Sequence, residues 1–333
     1  MTAYLLQRLG WSVFILFAVL TLVFNLLFGI GDPAVATLGA NARAEQLAQF
    51  RAQHGLDRPV WEQFTSYLGV TPCVRRASPA FDDGDGYCGV LQGRLGESFS
   101  HEDDVSKILL TRFPRTLVLG LMAMLFELLL GLTVGIVAAV RQHTPLDTGI
   151  MALAFLGISA PTFLTGLLFL RYVAFQAGWF PVGGYGVGFW EHIWHALLPA
   201  FTLAIVGAAT YARIMRSEMI DNLGSDYVRT ARAKGLHPTR VVMGHAFRNA
   251  LLPIVTLMGL SMPILVSGAV ITESIYAWPG MGRLAIEAIN NLDLFTVMGV
   301  VLFASLMVQI GNLLADLAVA ALDPRVGTGV ATR

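Results

Sequence analysis

The residues of this chain whose types and spacing could do chemistry are few and scattered. His192 and His195 stand one helical turn apart beside Glu191, as two metal ligands would, but no third ligand is placed nearby. Set between Trp190 and Trp194, they read instead as part of an interfacial anchor, and no metal site is expected. His101-Glu102 lacks the second histidine of a zinc-protease helix, and the chain has no C-x-x-C and no serine in G-x-S-x-G. Lys107 and Lys234 are the only lysines, and glycine precedes neither, so no G-K-[ST] phosphate loop exists. This chain therefore does not bind ATP in that manner, and no residue is assigned a catalytic role. Glu127 and Asp316 are acids set in apolar runs. Such groups relay protons or bind ions in carriers that work alone, or they face a helix bundle and bond to a neighbouring backbone; both readings stay open.

One stretch is dense where the rest is sparse. Ser225–Pro253 reads SDYVRTARAKGLHPTRVVMGHAFRNALLP and carries Arg229, Arg232, Lys234, Arg240 and Arg248 against one acid, Asp226. Ser225 or Asp226 can accept bonds from the free amides that open a helix, and Gly235 stands where a left-handed residue would close it. Pro238 suits the first turn of a second helix, where its missing N–H costs nothing. Apolar runs long enough to be membrane spans lie on both sides, and a short basic loop between spans stays in the cytoplasm. The stretch is thus a cytoplasmic helix pair held to the membrane at both ends.

The elements that must hold it are membrane spans. The 333 residues are 55% hydrophobic and 13% charged, and mean hydropathy is +0.65; together these exclude an ordinary soluble domain. Residues 11–30 contain no charge and are long enough to cross ~30 Å of hydrocarbon, with Arg8 before them favouring an inside N-terminus. A cleaved signal peptide is the alternative, since Ala34-Val35-Ala36 and Ala40-Asn41-Ala42 have the small-x-small form. Residues 31–112 are polar and placed outside. Further spans are expected at 116–140, 148–175 with Pro161 inside it, 196–214, 251–271 with Pro253 and Pro263, and 295–322. Thr272–Asp293 is too polar to span and is expected to form a short outer helix. The fold class is therefore an all-α integral membrane protein of six transmembrane helices, both termini cytoplasmic. Its parts are 1–112, the first span with the extracytoplasmic segment, and 113–333, a five-helix core containing the loop 221–253.

Cys73 and Cys88, the only cysteines, fall in the extracytoplasmic segment, where paired thiols tend to oxidise. A Cys73–Cys88 disulfide is expected, with closure contributing on the order of 3 kcal/mol; two unpaired thiols are the alternative. Pro263, Ser267 and Thr272, on or after the proline-broken fifth span, are the pore-facing candidates.

The helix–Gly–helix stretch resembles the coupling loop, or EAA motif, of ABC-importer permeases, with Thr230, Ala231, Ala233, Gly235 and Pro253 at the matching positions. The order TARAKGL…HAFRNALLPIVT is similar to the dipeptide/oligopeptide/nickel permease family. So are GDPA (31–34), HGLDRPVWEQF (54–64), GRLGESF (93–99), GAVITESIYAWPGMGRL and LLADL…LDPRV. Only the piece between Leu68 and Gly89 runs longer than that pattern. The resemblance implies a transport subunit of the bacterial inner (plasma) membrane, not an enzyme. Its partners would be a second homologous permease, two cytoplasmic ATPases that carry ATP and Mg, and an extracytoplasmic substrate-binding protein. It has no cofactor of its own and no nucleic-acid partner. Short peptides are the expected cargo, with nickel or glutathione as alternatives inside the class and an ion-coupled secondary carrier outside it. Alanines at Ala231 and Ala233 would let the ATPase backbone approach closely, and Arg232 and Arg240 would bond its acids and carbonyls.

Overall fold

The computed structural model describes residues 2–29, 32–39, 41–72, 86–87, 89–267 and 269–322. Cys73 and Cys88, with the expected disulfide, lie outside the described residues. The described residues are helical and contain no β-strand, only an isolated bridge between Glu97 and Asp104. In chain order the helices are α1 (Thr2–Phe24, continued by a π-turn Asn25–Gly29), α2 (Pro33–Leu38), α3 (Ala44–His54), α4 (Val60–Leu68) and α5 (Val105–Val140). These are followed by α6 (Pro145–Ser159), α7 (Thr162–Phe169, continued by a π segment Leu170–Gln176) and α8 (Phe189–Leu223). Two short helices follow, α9 (Asp226–Ala233) and α10 (Pro238–Val241, continued by a π-turn Val242–Ala246). The chain then runs through α11 (Phe247–Ser267), α12 (Val270–Ile275), α13 (Met281–Asn290) and α14 (Leu294–Leu322). Five helical stretches are long and apolar enough to cross a bilayer, and the bent pair α6–α7 makes a sixth if it is one span.

The bent pair departs from the straight span expected over 148–175: α6 and the stretch from Thr162 to Gln176 meet at 102°. The cause is local. The ring of Pro161 crowds the preceding residue out of the helical region, and Ala160 is extended at φ −75°, ψ 125°. The expected single outer helix over Thr272–Asp293 is likewise two, α12 and α13, separated by a turn with Ala277 at φ +49°. Ser274, Asn290 and Asn291 are exposed, but part of the stretch's polar content is turned inward. Thr272 and Glu273 are buried, and Glu273 Oε1 accepts a 2.7 Å bond from Thr116 Oγ1.

The chain forms two compact units. The first comprises Met1–Arg115 and Gly280–Gln309. Its core is aromatic: Phe24 stacks on Phe28 at 4.6 Å, and Phe295 meets Phe28 at 5.5 Å and Phe99 at 5.3 Å. Gly96, at φ +96°, lies so near the Phe295 ring that a Cβ would come within 2.7 Å of it. Asp293 is wholly buried and caps α14, accepting from Thr296 N (3.3 Å) and Thr296 Oγ1 (2.9 Å). It also accepts from Ser98 Oγ (2.5 Å) and Ser100 Oγ (2.8 Å), which ties the stretch between α4 and α5 to the start of α14. Burial by itself would raise the Asp293 pKa; the donors from Ser98, Ser100 and Thr296 outweigh it and hold the carboxyl below the usual carboxylate value.

The second unit comprises Thr116–Pro279 and Ile310–Arg333. Here α5 and α8 approach through small residues, as helices do where no hydrophobic drive separates them from lipid. A Cβ on Gly131 would stand 2.6 Å from Tyr211 Cβ, and one on Gly135 would stand 2.6 Å from the Ala212 carbonyl oxygen. Ala139, Tyr211, Met215, Met219, Val228 and Ala231 belong to one buried cluster, which also takes in Val241, Ala246, Ala250 and Ile254 of the following helices.

Candidate coupling site

The basic stretch folds as two short helices, as its residues demand. Ser225 occupies the cap of α9, but its hydroxyl turns back and donates to the Asn222 carbonyl at 2.5 Å instead of accepting from a free amide. Asp226 is the first helical residue and makes an exposed ion pair with Arg229 at 3.5 Å, a contact worth little in water. At the other end the closure is the expected one. Gly235 has φ +74°; its N–H donates to the Arg232 carbonyl at 2.9 Å and Leu236 N–H to the Ala231 carbonyl at 3.4 Å. That pair of bonds is a Schellman closure. Around Gly235 there is open space, so only its backbone angle restricts what could replace it. Pro238 starts α10 as expected, with His237 Nδ1 accepting from Thr239 N at 3.4 Å.

Helices of eight and four residues are marginal in water, so they persist through what they bury. Val228 and Ala231, three apart and hence on one face, are buried against the chain's own α8 and α11 cluster, as is Val241. This corrects one expectation: Ala231 is 5% exposed and offers no surface to a partner, because its small side chain is needed for packing inside this chain. Thr230, Arg232, Ala233, Lys234 and Arg240 are exposed on the other side. Among the described residues neither Arg232 nor Arg240 forms an ion pair, so both present donors for outside acceptors. A cavity of about 810 Å³ opens beside the helices, lined by Val140, Leu223, Arg229, Arg232, Leu236 and Val242. Pro253 lies within α11, half-buried.

Long α8 runs unbroken to Leu223, directly before this helix pair. On it Arg216 grips Asp147 of α6 with two bonds, Nε to Oδ1 and Nη2 to Oδ2, each 2.6 Å. Further from the loop, Glu127 of α5 is 8% exposed, and its carboxyl sits where a Cβ on Gly207 of α8 would be. In the first two turns of α8 His192 Nδ1 lies 2.7 Å from the Tyr185 carbonyl and His195 Nδ1 lies 2.8 Å from the Glu191 carbonyl, so each ring has a carbonyl partner. Of the pore-facing candidates, Pro263 and Ser267 lie on α11 with side chains outside the described residues. Thr272 is 1% exposed in α12, its side chain packed inside this chain, a second correction.

Residues 131–328 match the family described as binding-protein-dependent transport system inner membrane component, and residues 1–120 match the family described as the N-terminal part of the binding-protein-dependent transport system membrane component. The chain belongs to the dipeptide/oligopeptide family of ABC-importer permeases. This permease is 33% identical over 333 residues to the oligopeptide transport system permease protein AppB of Bacillus subtilis, covering 98% of this chain and 99% of that one. It is 34% identical over 354 residues to the dipeptide transport system permease protein DppB of Escherichia coli K12, and 36% identical over 327 residues to the glutathione transport system permease protein GsiC of Salmonella choleraesuis. Each comparison covers 98% of the permease and 99% of the relative. Among solved structures, an inward-facing MetNI methionine ABC transporter chain superposes with TM-score 0.55 at 16% identity, covering 65% of this chain and 96% of that one, a likeness of fold alone. The permease is a multi-pass protein of the bacterial inner membrane.

Asp147, Gly207, Asp293 and Tyr276 were not singled out by sequence reasoning. Asp147 carried a signal: Thr144-Pro145-Leu146-Asp147 is a capping pattern, and Thr144 Oγ1 does accept from Asp147 N at 3.4 Å. The others are read only from what they touch.

Proposed function

We propose that this permease imports short peptides, forming half of a translocation pathway with a second permease of similar fold. On this reading α9 and α10 dock into two cytoplasmic ATPases, which bind ATP and Mg, and an extracytoplasmic binding protein delivers the cargo. ATP closes the ATPase pair, the docked helices are pushed with it, and the spans tilt between outward- and inward-open states. The observation that carries the reading is the two-faced helix pair: Val228, Ala231 and Val241 pack into the chain's own core while Arg232, Lys234 and Arg240 are exposed and, among the described residues, form no ion pair. A loop that only fixed topology would need charges but neither the buried face nor the Gly235 closure. The named cargo of the oligopeptide and dipeptide relatives supports peptides, and that of the GsiC relative adds glutathione, itself a tripeptide, to the same class.

Gly235→Val tests it. A β-branched residue at φ +74° is strained by ~1–2 kcal/mol or more, which turns the docking face away without touching a span. The variant should enter the membrane at wild-type level, fail to co-purify with the ATPases, and lose peptide uptake, whereas Gly235→Asn, which tolerates the left-handed region, should retain both. Wild-type ATPase capture and uptake by the valine variant would refute docking through this loop. Uptake by the chain without any ATPase would instead support the ion-coupled carrier.

A further inference from the structure

We propose that Asp147 and Arg216 are positioning residues that carry the displacement of the coupling helices into the broken span α6–α7, an inference that rests on the ATPase-docking reading above. Arg216 lies on α8, whose last residue, Leu223, is two residues before the Ser225 cap of α9, so a push on α9 crosses only the short turn Gly224–Ser225 before it reaches Arg216 along one helix. The guanidinium meets both carboxylate oxygens of Asp147, and two parallel charge-assisted bonds fix direction as well as distance. Asp147 is itself held: its side chain is 5% exposed, and its Oδ2 accepts a further bond from His143 N at 3.1 Å in the first turn of α6.

The far side of the bent pair is fastened to the same helix. Tyr276 Oη lies 2.8 Å from Thr202 Oγ1 of α8 and donates to the Gly166 carbonyl of α7 at 3.1 Å, with all three groups buried. Between the two fastenings lies the 102° break at Ala160–Pro161. Close packing fills the interval, since a Cβ on Gly157 would stand 3.3 Å from Ile205 Cγ2. The broken span is thus tied to α8 on both sides of its own hinge. Buried ion pairs add little net stability over apolar packing, so stability alone does not account for the fork. What the fork adds is that α6 cannot stay behind when α8 moves.

The test uses the whole importer in proteoliposomes, with second permease, ATPases and binding protein. The permeases compared are wild type, Asp147→Asn, Arg216→Gln, their double variant, Tyr276→Phe and Gly235→Val. The cargo is an equimolar mixture of dipeptides and tripeptides, with uptake read by mass spectrometry. The measured quantity is ATP hydrolysed per peptide taken up, at equal amounts of assembled complex, which a merely structural role would not move. Each single variant should raise that ratio by roughly two- to thirtyfold. The double variant should raise it no further than either single one, because both remove the same contact, and Tyr276→Phe should shift it in the same direction. An unchanged ratio, with uptake falling only as complex is lost, overturns the proposal, and so does a double variant whose effect is the product of the singles. Gly235→Val separates the two readings. If it keeps its ATPases and transports normally, docking through α9–α10 is wrong. If it loses them while Asp147→Asn and Arg216→Gln leave the ratio at the wild-type value, only the linkage between α8 and α6 is wrong.

Discussion

The carboxyl of Glu127 occupies the notch that Gly207 leaves in α8. An acid in a span is costly, and here its burial depends on the missing side chain of one residue on the facing helix. Gly207→Ala should therefore displace the carboxyl or part α5 from α8, lowering stability by about 1–3 kcal/mol. Glu127→Ala empties the notch. Combined with Gly207→Ala it should give a double variant clearly more stable than the sum of the single effects, since the added methyl then has room. Thermal unfolding of the four proteins in detergent checks this, and additive losses would mean the two residues do not share the space.

The two alanines of α9 should behave differently under the same bulky substitution. Ala231 is buried against the chain's own cluster, and overpacking there should cost about 1–3 kcal/mol in the permease alone. Ala233 is exposed, so Ala233→Trp should leave the isolated permease as stable as wild type and act only on ATPase capture. Melting temperature of the permease alone and ATPase co-purification, measured side by side, resolve the two. Equal loss of permease stability in both would show that the outer face of α9 is not free.

How much of this was legible in the sequence differs from element to element. Helices α9 and α10 were, because Gly235 and Pro238 act on their own backbone: one adopts a positive φ, the other lacks an N–H, and neither depends on distant residues. The long apolar runs were legible for the same reason, since length and composition decide them. What failed was whatever tertiary partners decide. The direction of the Ala231 side chain depends on α8 and α11, and Glu273 looked like a surface residue because its partner, Thr116, lies far away in sequence. Pro161 was visible, yet a proline inside a span allows a mild kink as well as a 102° bend.

Asp293 yields a prediction about acid. Its carboxyl lies below the ordinary value in the folded protein, so its contribution to stability is fully present above the ordinary carboxylate range and is lost as pH falls through the lowered folded value. Between pH 5 and pH 8, approximate bounds well above the normal Asp pKa, this group should make stability no more or less pH-dependent. Asp293→Asn removes the charge that Ser98, Ser100 and Thr296 bond to, and should cost roughly 1.5–3 kcal/mol at neutral pH. Because the loss of the charge is already made in the variant, the gap between it and wild type should narrow in strong acid. Unfolding curves of both proteins across pH supply the check; a gap that widened toward acid would contradict the assignment.

The bent pair decides the topology. If α6 and α7 together cross the bilayer, the turn at Arg141–Thr144 and the loop after Gln176 are on opposite sides; if the 102° bend makes a re-entrant loop, they share a side and the chain has five spans. The basic turn Arg141-Gln142-His143 favours the cytoplasm, and the stretch 176–195, which has neither Lys nor Arg, favours the outside. Gln142 and Val187 are both exposed, Val187 at 86%, so cysteine at either position is open to reagent and disturbs no core. In spheroplasts, Val187→Cys should react with a membrane-impermeant maleimide beyond the background of the unsubstituted protein, and Gln142→Cys should react only after the membrane is opened. Reaction of both before opening, or of neither, would make α6–α7 re-entrant and put the two termini on opposite sides. It would also remove the crossing through which the Asp147–Arg216 fork would pass motion to the outer face.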